Sequence, residues 1–159
     1  MIAKRVLPLA LLHAAGGRIK GKTRFQKLAF IADQRLEERD IDPYDFIAYD
    51  YGPFSKDLME EVEYLEKKGF VKVTKSRTFG GNKRYDYELT SEGMDLSDSN
   101  FPDLEGETIG TPGPQDERLC TLYNIATEVV EEFNEIPISN LIDYVYEEYP
   151  SYATESVLN

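Results

Sequence analysis

The chain has 159 residues, 41% hydrophobic and 30% charged, with 18 Lys+Arg against 30 Asp+Glu for a formal net charge of −12. That length holds one domain, or a small domain with an appendage, and it excludes a large multidomain enzyme; the balance excludes a disordered or collagen-like chain. No apolar run approaches the roughly 20 residues of a membrane span, so a cytoplasmic protein with no membrane partner is expected, and one cysteine, Cys120, with one histidine, His13, provides neither a disulfide nor a structural metal site.

In chain order, residues 4–15 read as a buried helix that tolerates Pro8 in its first turn and stops at Gly16 and Gly17. Arg18 to Lys20 suits a short strand. Thr23 is expected to cap a second helix running to about Glu38, with Phe25, Leu28, Ala29, Ala32 and Leu36 on one face. Residues 41–51 are extended and aromatic (Tyr44, Phe46, Tyr49, Tyr51), and Gly52 and Pro53 are expected to end them. Ser55 is a good N-cap for a third helix carrying Leu58, Met59, Val62 and Leu65 and closed by Lys67, Lys68 and Gly69. The period then changes from helix to strand. Residues 70–76 and 84–90 alternate around a turn containing Gly80, Gly81 and Asn82, the pattern of a β-hairpin.

A further helix is expected from Thr90. Residues 97–115 hold Pro102, Gly106, Gly110, Pro112, Gly113 and Pro114 among acids, which predicts a linker between two units. Beyond it, Leu119, Tyr123, Ala126, Val129, Val130 and Phe133 step along one amphipathic helix; Pro137 breaks it, Ser139 caps the next, and Pro150 ends that one. The expected organisation is thus a first domain over 1–96, a linker over 97–115 and an acidic helical pair over 116–159. The apolar stripe of the pair must be buried, either by a homodimer or against the first domain.

Charge is divided unevenly along the chain. Residues 1–93 carry 17 basic and 15 acidic side chains, a net of +2, whereas residues 94–159 carry 1 and 15, a net of −14. Residues 1–32 and 67–85 each hold seven basic side chains and no acid. Acidity of this size keeps a protein soluble, and it also suits an acidic unit beside a basic binding surface.

Three helices followed by a hairpin with a basic, Gly-containing tip make the element order of a winged helix. The segment "EYLEKKGFVKV" (Glu63 to Val73), the wing "TKSRTFGGNKR" and "YDYELTSEG" closing at Gly93 resemble the corresponding stretch of the PadR-like and MarR-like regulators. A narrower resemblance lies in "RFQKLAFIAD" (Arg24 to Asp33), "YDYGPFSKDL" (Tyr49 to Leu58) and the tail from Pro137 to Ser156, which are similar to the YwgA-type proteins and more distantly to the Panacea domain of SocA-like antitoxins. The fold expected is α+β and mainly helical: a winged helix-turn-helix of three helices plus a β-hairpin wing, with a C-terminal helical pair. The resemblance brings no enzymatic activity with it.

The expected function is a non-catalytic DNA-binding transcriptional regulator with no cofactor. Lys72, Lys75, Arg77, Lys83 and Arg84 of the wing, with Ser55 and Lys56 at the third helix N-terminus, are the candidate contacts to double-stranded DNA, and Arg18, Lys20, Lys22, Arg24 and Lys27 form a second basic segment. The third helix also carries Asp57, Glu60, Glu61, Glu63 and Glu66, which oppose phosphates. The alternative is therefore a protein-interaction module of the antitoxin or adaptor type. A remote alternative is nucleotide binding at Gly16 to Thr23, "GGRIKGKT", which matches the phosphate-loop string G-x-x-x-x-G-K-[ST] but lacks the alternating strands and helices such a loop requires. His13 and Cys120 read as packing residues, the aromatic run as core, and the acids of the tail as solvated helix faces rather than a flap over the wing.

Overall fold

The first helix, α1 (Val6–Ala14), is buried from Val6 through Leu12, so it forms the floor of the core rather than an amphipathic surface helix. Gly16 and Gly17 at φ 79° and 101° turn the chain out of it, a conformation a side chain would strain. The computed structural model describes residues 5–41, 47–49, 52–100 and 114–153. Tyr44, Phe46 and Tyr51 of the aromatic run and residues 101–113 of the expected linker lie outside the described residues.

The fold is α+β and mainly helical. After α1 come β1 (Arg18–Lys20), α2 (Lys22–Glu37), β2 (Ile47–Tyr49), β3 (Gly52–Phe54), α3 (Lys56–Lys67), β4 (Val71–Arg77), β5 (Lys83–Leu89), α4 (Ser91–Asn100), α5 (Pro114–Phe133), α6 (Ile138–Glu148) and α7 (Pro150–Ala153). Strands β1, β5 and β4 form an antiparallel sheet in that order. Ile19 stands opposite Tyr87, and Val71, Val73 and Lys75 stand opposite Leu89, Tyr87 and Tyr85. Strand side chains alternate, so Ile19, Val71, Tyr87 and Leu89 face the core together, and all four are buried.

Several local expectations are corrected. Thr23 does not cap α2: the helix starts two residues earlier, at Lys22, with Gly21 at its N-cap, whose N–H donates to the Asp86 carboxylate at 3.1 Å. Gly52 and Pro53 do not end the extended segment but belong to β3, paired with β2 through Ala48 opposite Pro53. Helix α4 runs through Asn100 and α5 begins at Pro114, so both ends of the segment expected to be linker are helical. Pro137, not Ser139, is the N-cap of α6, and Pro150 opens α7 rather than merely ending α6. The Ser55 cap is present: its hydroxyl accepts from the Leu58 N–H at 3.1 Å.

One hydrophobic cluster joins α1, α2, α3 and the sheet with Leu122, Ile125, Ala126, Val129, Val130 and Phe133 of α5 and Leu141 and Val145 of α6. The stripe of α5 is thus buried within its own chain, which is why α2 is buried continuously from Phe25 to Asp33. Phe30 meets the rings of Tyr149 and Tyr152 edge-on at 4.9 and 4.6 Å and so ties the last helix to α2. Glu128, Glu131, Glu132, Glu135, Glu147 and Glu148 are all exposed, the solvated faces that the helical spacing predicts. His13 is hydrogen-bonded through Nδ1 to the Tyr123 hydroxyl at 2.6 Å and through Nε2 to Asp98 at 3.0 Å, linking α1 to α5 and α4.

Candidate nucleic-acid interface

Strand β1 is three residues long and pairs only with Asp86 to Glu88, whereas β5 begins at Lys83. The edge of β5 beyond β1 is therefore largely uncovered. A cleft of about 700 Å³ opens there, lined by Arg18, Lys20, Lys22, Arg24, Lys83 and Arg84 together with Tyr85 and a single acid, Glu135. The two basic segments, residues 1–32 and 67–85, meet in this cleft because β1 and the hairpin are one sheet.

Asp86 organises it. Only 7% exposed, its carboxylate accepts from Arg84 Nε at 3.0 Å and from the Gly21 N–H at 3.1 Å, and lies 3.6 Å from Arg18. The register places Arg18, Lys20, Lys72 and Arg84 on the sheet face that Asp86 and Glu88 share. Lys75, Arg77 and Lys83 lie on the opposite face, exposed toward the hairpin tip.

Lys22 connects the hairpin to the start of α3. Its Nζ lies 5.9 Å from the Phe54 ring centre and 5.6 Å from that of Tyr85, within the range of a cation–π attraction. Phe54 immediately precedes Ser55, so Lys22 stands between the N-terminus of α3 and the hairpin strand. Lys56, the first residue of α3, is exposed and lies 4.0 Å from Glu60. The strand before Gly21 is antiparallel, whereas a phosphate loop follows a buried parallel strand.

Of the expected contacts, Ser55 and Lys27 are placed away from the surface, and Arg24 is committed to other groups. Ser55 is 1% exposed, its hydroxyl used by the helix cap and its backbone N–H and C=O bonded to the Gln26 amide at 3.0 and 3.2 Å. Lys27 is 2% exposed in the middle of α2, and burial lowers its pKa to about 8. Arg24 borders the cleft, but its guanidinium donates to the carbonyl oxygens of Phe133 and Ile136 at 2.9 and 2.7 Å, and partial burial lowers its pKa. On α3, Glu60, Glu63 and Glu66 are exposed, so its solvent face is acidic.

Two residues of this region were not singled out by sequence reasoning. Asp86 left no signal, since an acid between two tyrosines in a strand reads as an outward-facing charge. Phe79 did leave one: an aromatic beside Gly80 and Gly81 in a turn cannot pack into the hairpin's own strands, and it is fully exposed.

The chain is similar to the uncharacterized protein YwgA of Bacillus subtilis (strain 168), with 34% identity over 101 residues, which are 62% of this chain and 58% of that protein. The match therefore spans little more than half of the relative's length. No protein-family model matches the chain. Among the described residues no helix is long and apolar enough to cross a membrane.

Proposed function

We propose that the chain is a non-catalytic DNA-binding protein of the winged-helix type, a transcriptional regulator that grips a phosphate backbone in the cleft between the β1–α2 turn and the β4–β5 hairpin. The element order supports the winged-helix reading: helix, short strand, helix, the small β2–β3 pair, helix and a hairpin, with the short strand β1 paired to the second strand of that last hairpin. The observation that carries the function is the meeting of Arg18, Lys20, Lys22, Lys83 and Arg84 in one cleft of a chain whose net charge is −12. Cations held in a concave site concentrate an anionic ligand against the field of the whole molecule.

The contact differs from insertion of a helix along the major groove. The exposed glutamates of α3 repel phosphates, so α3 approaches DNA by its N-terminus, at Lys56, while the turn and the wing hold the backbone. A second reading rests on the same acids: Glu60, Glu63 and Glu66 with the part-exposed Tyr64 suit a basic protein surface, as in an antitoxin or adaptor.

Titration of duplex DNA at several salt concentrations separates the two. Phosphate binding requires log K to fall linearly with log salt, and Lys20→Ala with Lys83→Ala is expected to reduce the slope by about 2, roughly 0.9 for each phosphate no longer neutralised. Absence of DNA binding at low salt, with capture of a stoichiometric protein that Glu63→Lys abolishes, overturns the reading in favour of the second.

A further inference from the structure

The hairpin tip presents an aromatic ring with nothing to cover it. Phe79 is the second residue of a turn in which the Gly81 N–H donates to the Thr78 carbonyl at 2.9 Å and the Thr78 N–H donates to the Asn82 carbonyl at 2.8 Å. Gly81 adopts φ 82°, and the Arg77 guanidinium donates to its carbonyl at 3.3 Å. The tip is therefore braced, and Phe79 points from it into solvent. Directly behind stand Arg77 and Lys83, the last pair of the ladder, then Arg84, opposite Ser76, and Lys75, opposite Tyr85.

We propose that Phe79 is a base-stacking probe: it wedges against a nucleobase while the cations behind it hold the flanking phosphates. This rests on the nucleic-acid reading above and adds to it where a base, rather than the backbone, is touched. The braced backbone of the tip loses little freedom on binding, and a single ring suffices to stack on a base or open a base step. A lipid surface is the weaker match, because one phenyl ring carries less apolar area than a single acyl chain, which itself binds membranes only marginally.

The chain has no tryptophan, so Phe79→Trp introduces a single reporter at a position without packing contacts. Oligothymidine and duplex DNA are expected to quench the new indole, and Phe79→Ala is expected to bind about 5- to 100-fold more weakly with an unchanged salt slope. Melting temperatures equal to the parent's confirm that both variants are folded. If Phe79→Ala binds as tightly as the parent, the stacking role is overturned while the phosphate cleft stands. If the parent binds no nucleic acid, both fall. A blue shift on phosphatidylserine vesicles without any response to DNA overturns the proposal in favour of a membrane contact.

Discussion

The Arg24 guanidinium closes the C-terminal end of α5 by donating to the Phe133 carbonyl oxygen at 2.9 Å, and its second nitrogen reaches the Ile136 carbonyl at 2.7 Å. The last carbonyls of a helix have no partners of their own, and a cation there also meets the negative end of the helix dipole. One side chain of α2 thus fixes the junction between α5 and α6 beside the basic cleft.

Arg24→Ala is expected to cost about 1–3 kcal/mol, the loss of charged hydrogen bonds to half-buried carbonyls. Urea denaturation measures it. Arg24→Lys recovers only part, since an ammonium on a flexible stem does not reproduce the planar fork that spans two carbonyl oxygens. Full recovery by lysine would mean that charge alone, not the fork, closes the helix.

Asp86 sets stability against affinity. Asn at this position keeps an oxygen for the Gly21 N–H and for Arg84 Nε but removes the one buried negative charge among Arg18, Lys20 and Arg84. Asp86→Asn is expected to lower stability by about 1 kcal/mol, the difference between charged and neutral hydrogen bonds, and to tighten DNA binding several-fold at low salt. Weaker binding by a folded Asp86→Asn protein would show that Asp86 acts mainly by aiming Arg84.

Which features were legible follows from where their causes lie in the chain. Ser55 and the alternation of Tyr85, Tyr87 and Leu89 announce a cap and a strand because both depend on near neighbours. The two acid-free segments were visible as a charge count. Their convergence was not, because β1 has one apolar residue, Ile19, and so carries no register of its own. Nor was the burial of Lys27: the second face of α2 is covered by α5 and α6, about a hundred residues away, and nothing near Lys27 distinguishes it from the exposed Lys22. The Pro and Gly residues from Pro102 onward likewise concealed the last turn of α4, where Ser97 is buried.

The glycine of "YELTSEG" has a physical reason in the fold. A Cβ on Gly93 would collide with the Phe70 carbonyl oxygen and lie 3.2 Å from Leu89 Cδ2. The carbonyl cannot retreat cheaply, because it accepts from the Thr90 N–H at 3.1 Å, and the Thr90 hydroxyl in turn accepts from the Gly93 N–H at 3.0 Å. Gly93→Ala is expected to cost about 2–3 kcal/mol, a fall in melting temperature of roughly 5–12 °C for a domain of this size. Gly80→Ala, at a tip position with open space around it, serves as the control and leaves the melting temperature within a degree or two.

Lys27 makes stability depend on pH on the alkaline side. Burial lowers its pKa from 10.5 to about 8, so between those values the unfolded chain binds more protons than the folded one. Stability therefore rises with pH from about 8, by at most about 1.4 kcal/mol per unit, and is flat below that pH, where both states are protonated. Tyr87 opposes it higher up. Burial raises the pKa of its hydroxyl, and this contribution is lost only above roughly pH 10, where the unfolded tyrosine ionises. The window for the lysine alone is thus about pH 8 to 10. Lys27→Met is expected to remove the rise, because methionine binds no proton in either state. Guanidinium denaturation across that window tests it, and a rise that persists unchanged in Lys27→Met would place its cause elsewhere in the molecule.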